Sequence, residues 1–469
     1  MRSDRDRFTD EFGHLSPAKT PPKYDLTEGS IFGSIFKMGL PSMIGFAAVN
    51  LYDVVDMFWV AKLGPENVAA ITIFFSFYWV ISSANQIAGT GSVALISRRY
   101  GEKDFPATEA AIKEAILLKW MLAIFFGILG YIFIRQILAL LGAETNVLQL
   151  SIEYGIIQLY GLGVSFAVFT IYTALRGVGD PNKAMGLMIA GVVLNMALDP
   201  FLIFGWWIFP EMGIRGAALA SVISRSFAFI VGLVIFYGGF TSVRLHLKGQ
   251  MRVSMLRIWQ MIKIGFPSGI NSISFSLSRL VIMPMVTVFG TNVVAAYGVG
   301  MRVTAMAIMI VVGMGLGVSA LTGQNLGAKK FDRAKETAYK SILFTAAVMT
   351  GFSLFFILGA DFIVKFFFDT EPLVSLGKEV IRILAMTLPA IGIAKVIEMI
   401  YAGAGDNKPS MVFSLIYSWI LLIPAILITT KLLDFDHTAV WWSMVFSGYA
   451  GTVLFFMYFK REKWLEKLI

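Results

Sequence analysis

The sequence predicts an all-α polytopic membrane protein of twelve transmembrane helices, arranged as two pseudo-symmetric six-helix bundles. Three observations predict it. The 469-residue chain is 57% hydrophobic and only 15% charged, against roughly 45–50% and about 25% in soluble globular chains, so most of it must lie in lipid. Its apolar runs are long and continuous rather than alternating every second residue, which argues against a membrane β-barrel. Landmarks in the first half recur in the second at a constant offset of 226 residues.

A mean hydropathy of +0.74 and a bilayer core that takes about 20 residues per crossing leave room for about ten to a dozen helices. Gly, Pro, Asn and charge clusters punctuate the apolar runs. Segment 1 (31–61) follows a polar, charged stretch and stops before Lys62 and Gly64. Segment 2 (67–97) ends at Arg98 and Arg99, and segment 3 (110–138) begins beyond Lys103 and Pro106. Segment 4 (147–175) stops at Arg176, segment 5 (184–208) follows Asp180, Pro181 and Asn182, and segment 6 (215–240) follows Pro210 and Gly213. Segments 7 (258–289) and 8 (293–323) meet at Gly290, and segment 9 (337–362) follows the basic run after Gly327. Segment 10 (375–401) follows Pro372, segment 11 (410–433) follows Asn407 and Pro409, and segment 12 (438–459) ends at Lys460 and Arg461.

The repeat pairs Gly39 and Pro41 with Gly265 and Pro267, Gly64 with Gly290, and Val68 and Ala69 with Val294 and Ala295. It continues through Gly101 and Phe105 with Gly327 and Phe331, and Gly179, Asp180 and Met185 with Gly405, Asp406 and Met411. Two halves with an even helix count are parallel repeats related by an axis along the membrane normal, an architecture that leaves a central cleft suited to alternating access. The expected organisation is an N-terminal segment 1–30, lobes at 31–241 and 259–460, a linker at 242–258 and a tail at 461–469. Basic residues gather in the even connections: Arg98, Arg99, Lys103 and Lys113; Arg244, Lys248, Arg252, Arg257 and Lys263; and Lys329, Lys330, Arg333, Lys335 and Lys340. The tail adds Lys460, Arg461, Lys463 and Lys467, whereas odd connections hold one or two, such as Lys62, Arg135, Arg215 and Lys431. The positive-inside rule then puts both termini in the cytoplasm of a cell with the chain in its inner (plasma) membrane.

Without cysteine, disulfides, thiolate metal sites and cysteine nucleophiles are excluded, and His14, His246 and His437 all lie outside apolar runs, so no metal cofactor is expected. The net charge of +9 reads as topology rather than nucleic-acid binding. Residues 1–30 have no apolar core, so no cleavable signal peptide is expected and segment 1 serves as its own insertion signal. Chemistry must rest on carboxylates.

Ionisable residues inside membrane segments are costly and therefore functional candidates. Segment 1 carries Asp53 and Asp56, three apart on roughly one face. Segment 5 carries Asn195 and Asp199 one turn apart before Pro200, and segment 6 offers Ser221 and Arg225, the latter a partner to neutralise a carboxylate. The second half holds Arg279, Lys395 and Glu398. At the 226 offset Asp56 maps to Ile282, Asn195 to Leu421 and Asp199 to Ala425, so the acidic set exists in one half only and nominates the N-terminal lobe as a cation or proton site. Asp53 maps to Arg279, which suggests a charge pair near the axis. The plainer readings are a salt bridge or solvent contact for Asp53 and a self-satisfied ion pair for Lys395 and Glu398. Gly313, Gly315 and Gly317 read as close helix packing, because no strand precedes them. The 24 Met and 40 Phe supply core and lipid faces, and in a cleft an adaptable apolar surface.

At these residues the chain resembles a known family. GLPSMIGFAAVNLYDVVDMFWVAKLGPENVAA at 39–70, RGVGDPNKAM at 176–185, LNMALDP at 194–200 and weaker copies GFPSGI at 265–270 and AGAGDNKPSM at 402–411 are similar to the multidrug and toxic compound extrusion (MATE) transporters, most closely their DinF-like prokaryotic branch. The resemblance covers about 30–460 and implies the twelve-helix MATE/MOP fold and efflux driven by inward Na+ or H+. It also implies a coupling site of Asp56, Asn195 and Asp199, with Ser221 on segment 6 and Tyr154 on segment 4. Asp53 stands where relatives often have Asn and Tyr172 where some have Asn, and segment 7 lacks the acid other branches use. Asp53, Arg279, Tyr172, Glu398 and Lys395 are left as candidates for substrate contact or gating.

These observations lead to an expected secondary active multidrug antiporter, monomeric, with small organic substrates. It would need no cofactor beyond H+ or Na+, and any Na+ would sit at Asp56, Asn195 and Asp199. Pro41 removes a helical hydrogen bond and lets segment 1 bend. The rivals are a flippase for lipid-linked intermediates, an intramembrane prenyltransferase-type enzyme suggested by Asn50, Asp53 and Asp56, and a passive channel. The prenyltransferase is disfavoured by the missing second Asp-rich motif and by the repeat.

Overall fold

A computed structural model of the chain describes residues 26–143, 145–246, 253–368 and 370–467. His14, Lys248 and Arg252, most of the N-terminal segment, the middle of the linker and the last two residues of the tail lie outside these. The described helices are α1 (Ile31–Ala61), α2 (Pro65–Gly101), α3 (Phe105–Leu140), α4 (Thr145–Tyr160), α5 (Leu162–Gly177), α6 (Pro181–Phe204) and α7 (Ile214–Tyr237). They continue with α8 (Met255–Thr287), α9 (Thr291–Gly327), α10 (Phe331–Lys365), α11 (Leu373–Ala385), α12 (Leu388–Ala404), α13 (Lys408–Leu432) and α14 (Thr438–Phe459). Ten of these are long and apolar enough to cross a membrane alone.

The other two crossings correct the sequence reading. Segments 4 and 10, read as single helices, are each broken: α4 and α5 meet at 52°, α11 and α12 at 43°. The breaks fall at Gly161 and at Met386–Thr387, equivalent places under the 226 offset. Gly161 carries no Cβ because one would lie 2.4 Å from Val222 Cγ2, and Pro389 sits in the first turn of α12, where its missing N–H costs nothing. With each bent pair counted as one span, the described residues give up to twelve crossings, and the chain is a multi-pass membrane protein of all-α fold.

The repeat is visible in the backbone itself. Gly64 and Gly290 leave the ordinary region with φ of 112° and 98°, Lys103 and Lys329 with 59° and 57°, Gly179 and Gly405 with 80° and 78°. Gly64 and Gly290 stand just before a helix, and the lysine and second glycine pairs just past a helix end, where a left-handed residue closes the last turn. The halves differ at α13, which winds as π-helix over Ile416–Leu422 and Ile428–Leu432, whereas α6 is α-helical throughout.

Two compact units result. One holds Ile44–Gly265, Gly323–Lys330 and the described residues before Ser30; the other holds Ser30–Met43, Phe266–Thr322 and the chain from Phe331. Each half thus lends a helix end to the other's unit. The first unit packs Phe74, Phe77, Ile81, Tyr154, Leu159 and Phe166 at its centre, while Ile124, Phe125, Ile128 and Ile132 of α3 face outward, as lipid contact requires. In the second unit Trp441 is wholly buried, stacked on Tyr297 at 5.0 Å.

In the first unit, α2 lies against the ends of α8 and α9 at glycines. A Cβ on Gly101 would stand 2.1 Å from the Gln324 carbonyl oxygen, and one on Gly327 2.1 Å from that of Arg98. Residues 98 and 101 are the repeat partners of 324 and 327, so the crossing is symmetric. The chain around the linker is held to α3: Glu114 accepts two hydrogen bonds from Arg257, each at 2.7 Å, and Glu109 accepts the His246 N–H at 2.7 Å.

Candidate functional site

Two acidic residues of the first half, Asp56 and Asp199, are buried in the first unit. Asp56 on α1 is 4% exposed and Asp199 on α6 is fully buried. Asn195, one turn before Asp199, joins two helices: its amide nitrogen donates to Asp199 Oδ2 at 3.1 Å and its oxygen accepts the Ser221 N–H of α7 at 3.0 Å. This amide orientation is the one its hydrogen bonds select. Pro200 follows within α6 and withdraws the N–H that would bond four residues back. Ser221 Oγ lies 2.6 Å from the Tyr52 hydroxyl, which fixes α7 against α1.

A second layer carries the positive charge. Arg225 donates through Nη1 to Gln158 Oε1 at 3.0 Å and Ser165 Oγ at 3.1 Å, and Gln158 Nε2 donates to the Tyr154 hydroxyl at 3.1 Å. Arg225 is within electrostatic reach of Asp53 and Asp56. It makes no ion pair with either among the described residues, so it tempers the negative field without occupying the carboxylates. Asp56 Oδ1 and Asp199 Oδ1 are buried with no hydrogen-bond partner among the described residues, and the two acids lie within each other's field. Withdrawing two like charges from water without a counter-ion is unfavourable. The arrangement therefore leaves two buried carboxylate oxygens without a partner among the described residues, beside the Asn195 amide and the Ser221–Tyr52 hydroxyl pair.

Of the remaining predicted residues, Asp53 is exposed while Asp56 is buried. Residues three apart on a helix differ by about 60°, and that rotation separates two acids which the sequence places on one face. Tyr172 on α5 is 8% exposed and meets Phe169 edge-on. Glu398 binds Lys395 at 2.8 Å and accepts from Asn271 Nδ2 at 2.9 Å, and Lys395 lies 5.4 Å from the Phe275 ring centroid. Arg279 is exposed on the second unit, within electrostatic reach of Tyr297 and Tyr417. Pro41 lies inside an unbroken α1. Ile282, at the place equivalent to Asp56, is a buried core residue.

Sequence reasoning passed over Tyr52, Gln158 and Ser165, which hold Ser221 and Arg225. Tyr154 and Gln158 are one turn apart in an apolar run, and that spacing was the available signal.

Up to twelve crossings in two repeats, with an acid cluster buried in one of them, fit a membrane transporter. The family model MatE matches residues 41–201 and again 267–428, its two copies starting 226 residues apart. The chain belongs to the MatE family. It is 28% identical over 460 residues to "Probable multidrug resistance protein YoeA" of Bacillus subtilis (strain 168), covering 94% of this chain and 96% of the relative. To a Shewanella oneidensis "FAD transporter" it is 28% identical over 333 residues, 70% and 72% of the two chains. Its fold matches a solved structure described as "Outward-facing conformation of a multidrug resistance MATE family transporter of the MOP superfamily" with a TM-score of 0.88 at 23% identity, covering 96% of this chain and all of the other.

Proposed function

We propose that this chain is a secondary active exporter of small organic molecules, cationic or amphipathic among them, which it exchanges for H+ or Na+ by alternating access. The observation that carries this reading is the pair of open, buried oxygens on Asp56 and Asp199, absent from the equivalent places of the second half. A carboxylate pair of this kind gains a cation or a proton in one conformation and releases it in another, and binding that differs between two states is what shifts a population. The relatives named for multidrug resistance and for FAD transport favour organic cargo. Asn195, Ser221 and Tyr154 complete the ion site, with no other cofactor, and Asp53, Tyr172, Arg279, Lys395 and Glu398 are held for cargo contact or gating. Pro41 supplies the hinge of α1. The lobes 31–241 and 259–460 are the moving halves, and the protein works as a monomer in the inner (plasma) membrane with both termini cytoplasmic.

The test is export by purified protein in liposomes with H+ and Na+ gradients imposed separately. Tetraphenylphosphonium should leave against its own gradient when one of the two ions is driven inward. Saturation-free flux that ignores both gradients would mean a passive pore.

A further inference from the structure

Lys119 and Arg176 are cations of the first unit that the acid site does not use. Both are buried, at 2% and 3% exposure. Several other cations of that unit meet carboxylates, such as Lys113 on Glu109, Arg257 on Glu114 and Arg215 on Glu153. Lys119 Nζ instead donates to the neutral Asn85 Oδ1 at 2.5 Å, and the charge that acts on it is a second cation, Arg176. Arg176 Nη1 is buried with no hydrogen-bond partner among the described residues. Two positive groups out of water without a counter-charge form an incomplete arrangement, stable only at a cost.

Polar and aromatic side chains surround the ammonium. Around Lys119 the membrane helix α2 turns polar, with Ser82, Ser83, Asn85, Gln86 and Thr90. Gly89 lies beside the ammonium: a Cβ there would sit at ordinary contact distance, 3.7 Å from Lys119 Nζ and 3.8 Å from Gln86 Oε1. Gln86 is exposed, and so is the Phe169 ring at 41%, its centroid 6.0 Å from Nζ. An exposed amide and an exposed aromatic face therefore flank the ammonium. Lys119 lies fourteen residues beyond Phe105, about 21 Å along the axis, so the group is at membrane depth on the side of the basic loops.

We propose that Lys119 and Arg176 form an anion site in the first unit, which takes the carboxylate, phosphate or sulfonate head of an amphipathic molecule while Phe169 and Tyr172 contact its apolar body. The site rests on the reading of the chain as an exporter and adds an anionic class to its cargo. Among the described residues neither Lys119 nor Arg176 makes a hydrogen bond or ion pair with Asp56 or Asp199, so anionic cargo and coupling cation would use different groups.

Pyrenebutyrate and its matched trimethylammonium cation are the probes, added to full-length protein in nanodiscs with thermal stabilisation as the readout. Pyrenebutyrate should raise the wild-type Tm. Its half-saturating concentration should rise at least about tenfold in Lys119→Gln and in Arg176→Gln, the equivalent of about 1.4 kcal/mol. Lys119→Arg, which keeps the charge, should retain binding, and the cation should be indifferent to all three. Removing an unpaired buried charge should not lower the ligand-free Tm, and if Gln prevents folding at one position the other variant reads the same site. Absence of anion binding by the wild type, equal binding by all variants, or parallel weakening of anion and cation would overturn the proposal. Because binding needs no gradient, a protein that binds the anion in this pattern yet exports nothing contradicts the transport reading and leaves the site standing.

Discussion

At Asp199 a fully buried carboxylate has one oxygen held by Asn195 and the other open, and the same holds in part at Asp56. Arg225 is kept off both acids by Gln158 and Ser165, and this restraint is what leaves the oxygens free. Gln158→Leu removes an acceptor from a charged donor, a loss of about 1–3 kcal/mol, and frees Arg225 to swing. Gradient-driven export should fall with it and Tm should drop by a few degrees; a variant with wild-type export would show that Arg225 needs no restraint. The burial of Asp56, Asn195 and Asp199 together was legible in the sequence because a charged or polar group inside an apolar run carries a penalty that demands a reason. Tyr52, Gln158 and Ser165 carry no such penalty and were not legible. Lys119 is charged and still escaped notice, its run blending into the basic loop that ends at Lys113.

At the scale of helices, the 226-residue offset predicted where elements start and stop, because glycines with positive φ and helix-end lysines recur with it. It did not predict that segments 4 and 10 break, since hydropathy registers apolar length and is blind to direction. A tight and symmetric element contact is the crossing of α2 with the end of α9. Gly101→Ala and Gly327→Ala each place a methyl 2.1 Å from a carbonyl oxygen, and backbone cannot yield as a side chain can. Each variant should lose about 1–3 kcal/mol, the usual cost of overpacking, and by symmetry the two should behave alike. Thermal unfolding in detergent checks this; an unchanged Tm in either would show that the helices stand further apart than described.

For the whole molecule, composition was enough to exclude a soluble protein, and the repeat was enough to give two six-helix halves. The exchange of helix ends was not legible: Ser30–Met43 packs in the second unit, and Gly323–Lys330 in the first. A repeat gives the order of helices in each half, and only three-dimensional packing decides where a long helix changes company. The central claim is that a carboxylate pair in one half couples an ion gradient to cargo movement. Its most direct test measures, in one set of liposomes, cargo efflux and the accompanying H+ or Na+ influx for wild type, Asp56→Asn and Asp199→Asn. The account predicts coupled ion influx in the wild type and its loss in both variants, with cargo exchange down its own gradient surviving in at least one. Wild-type ion influx in both variants would contradict it.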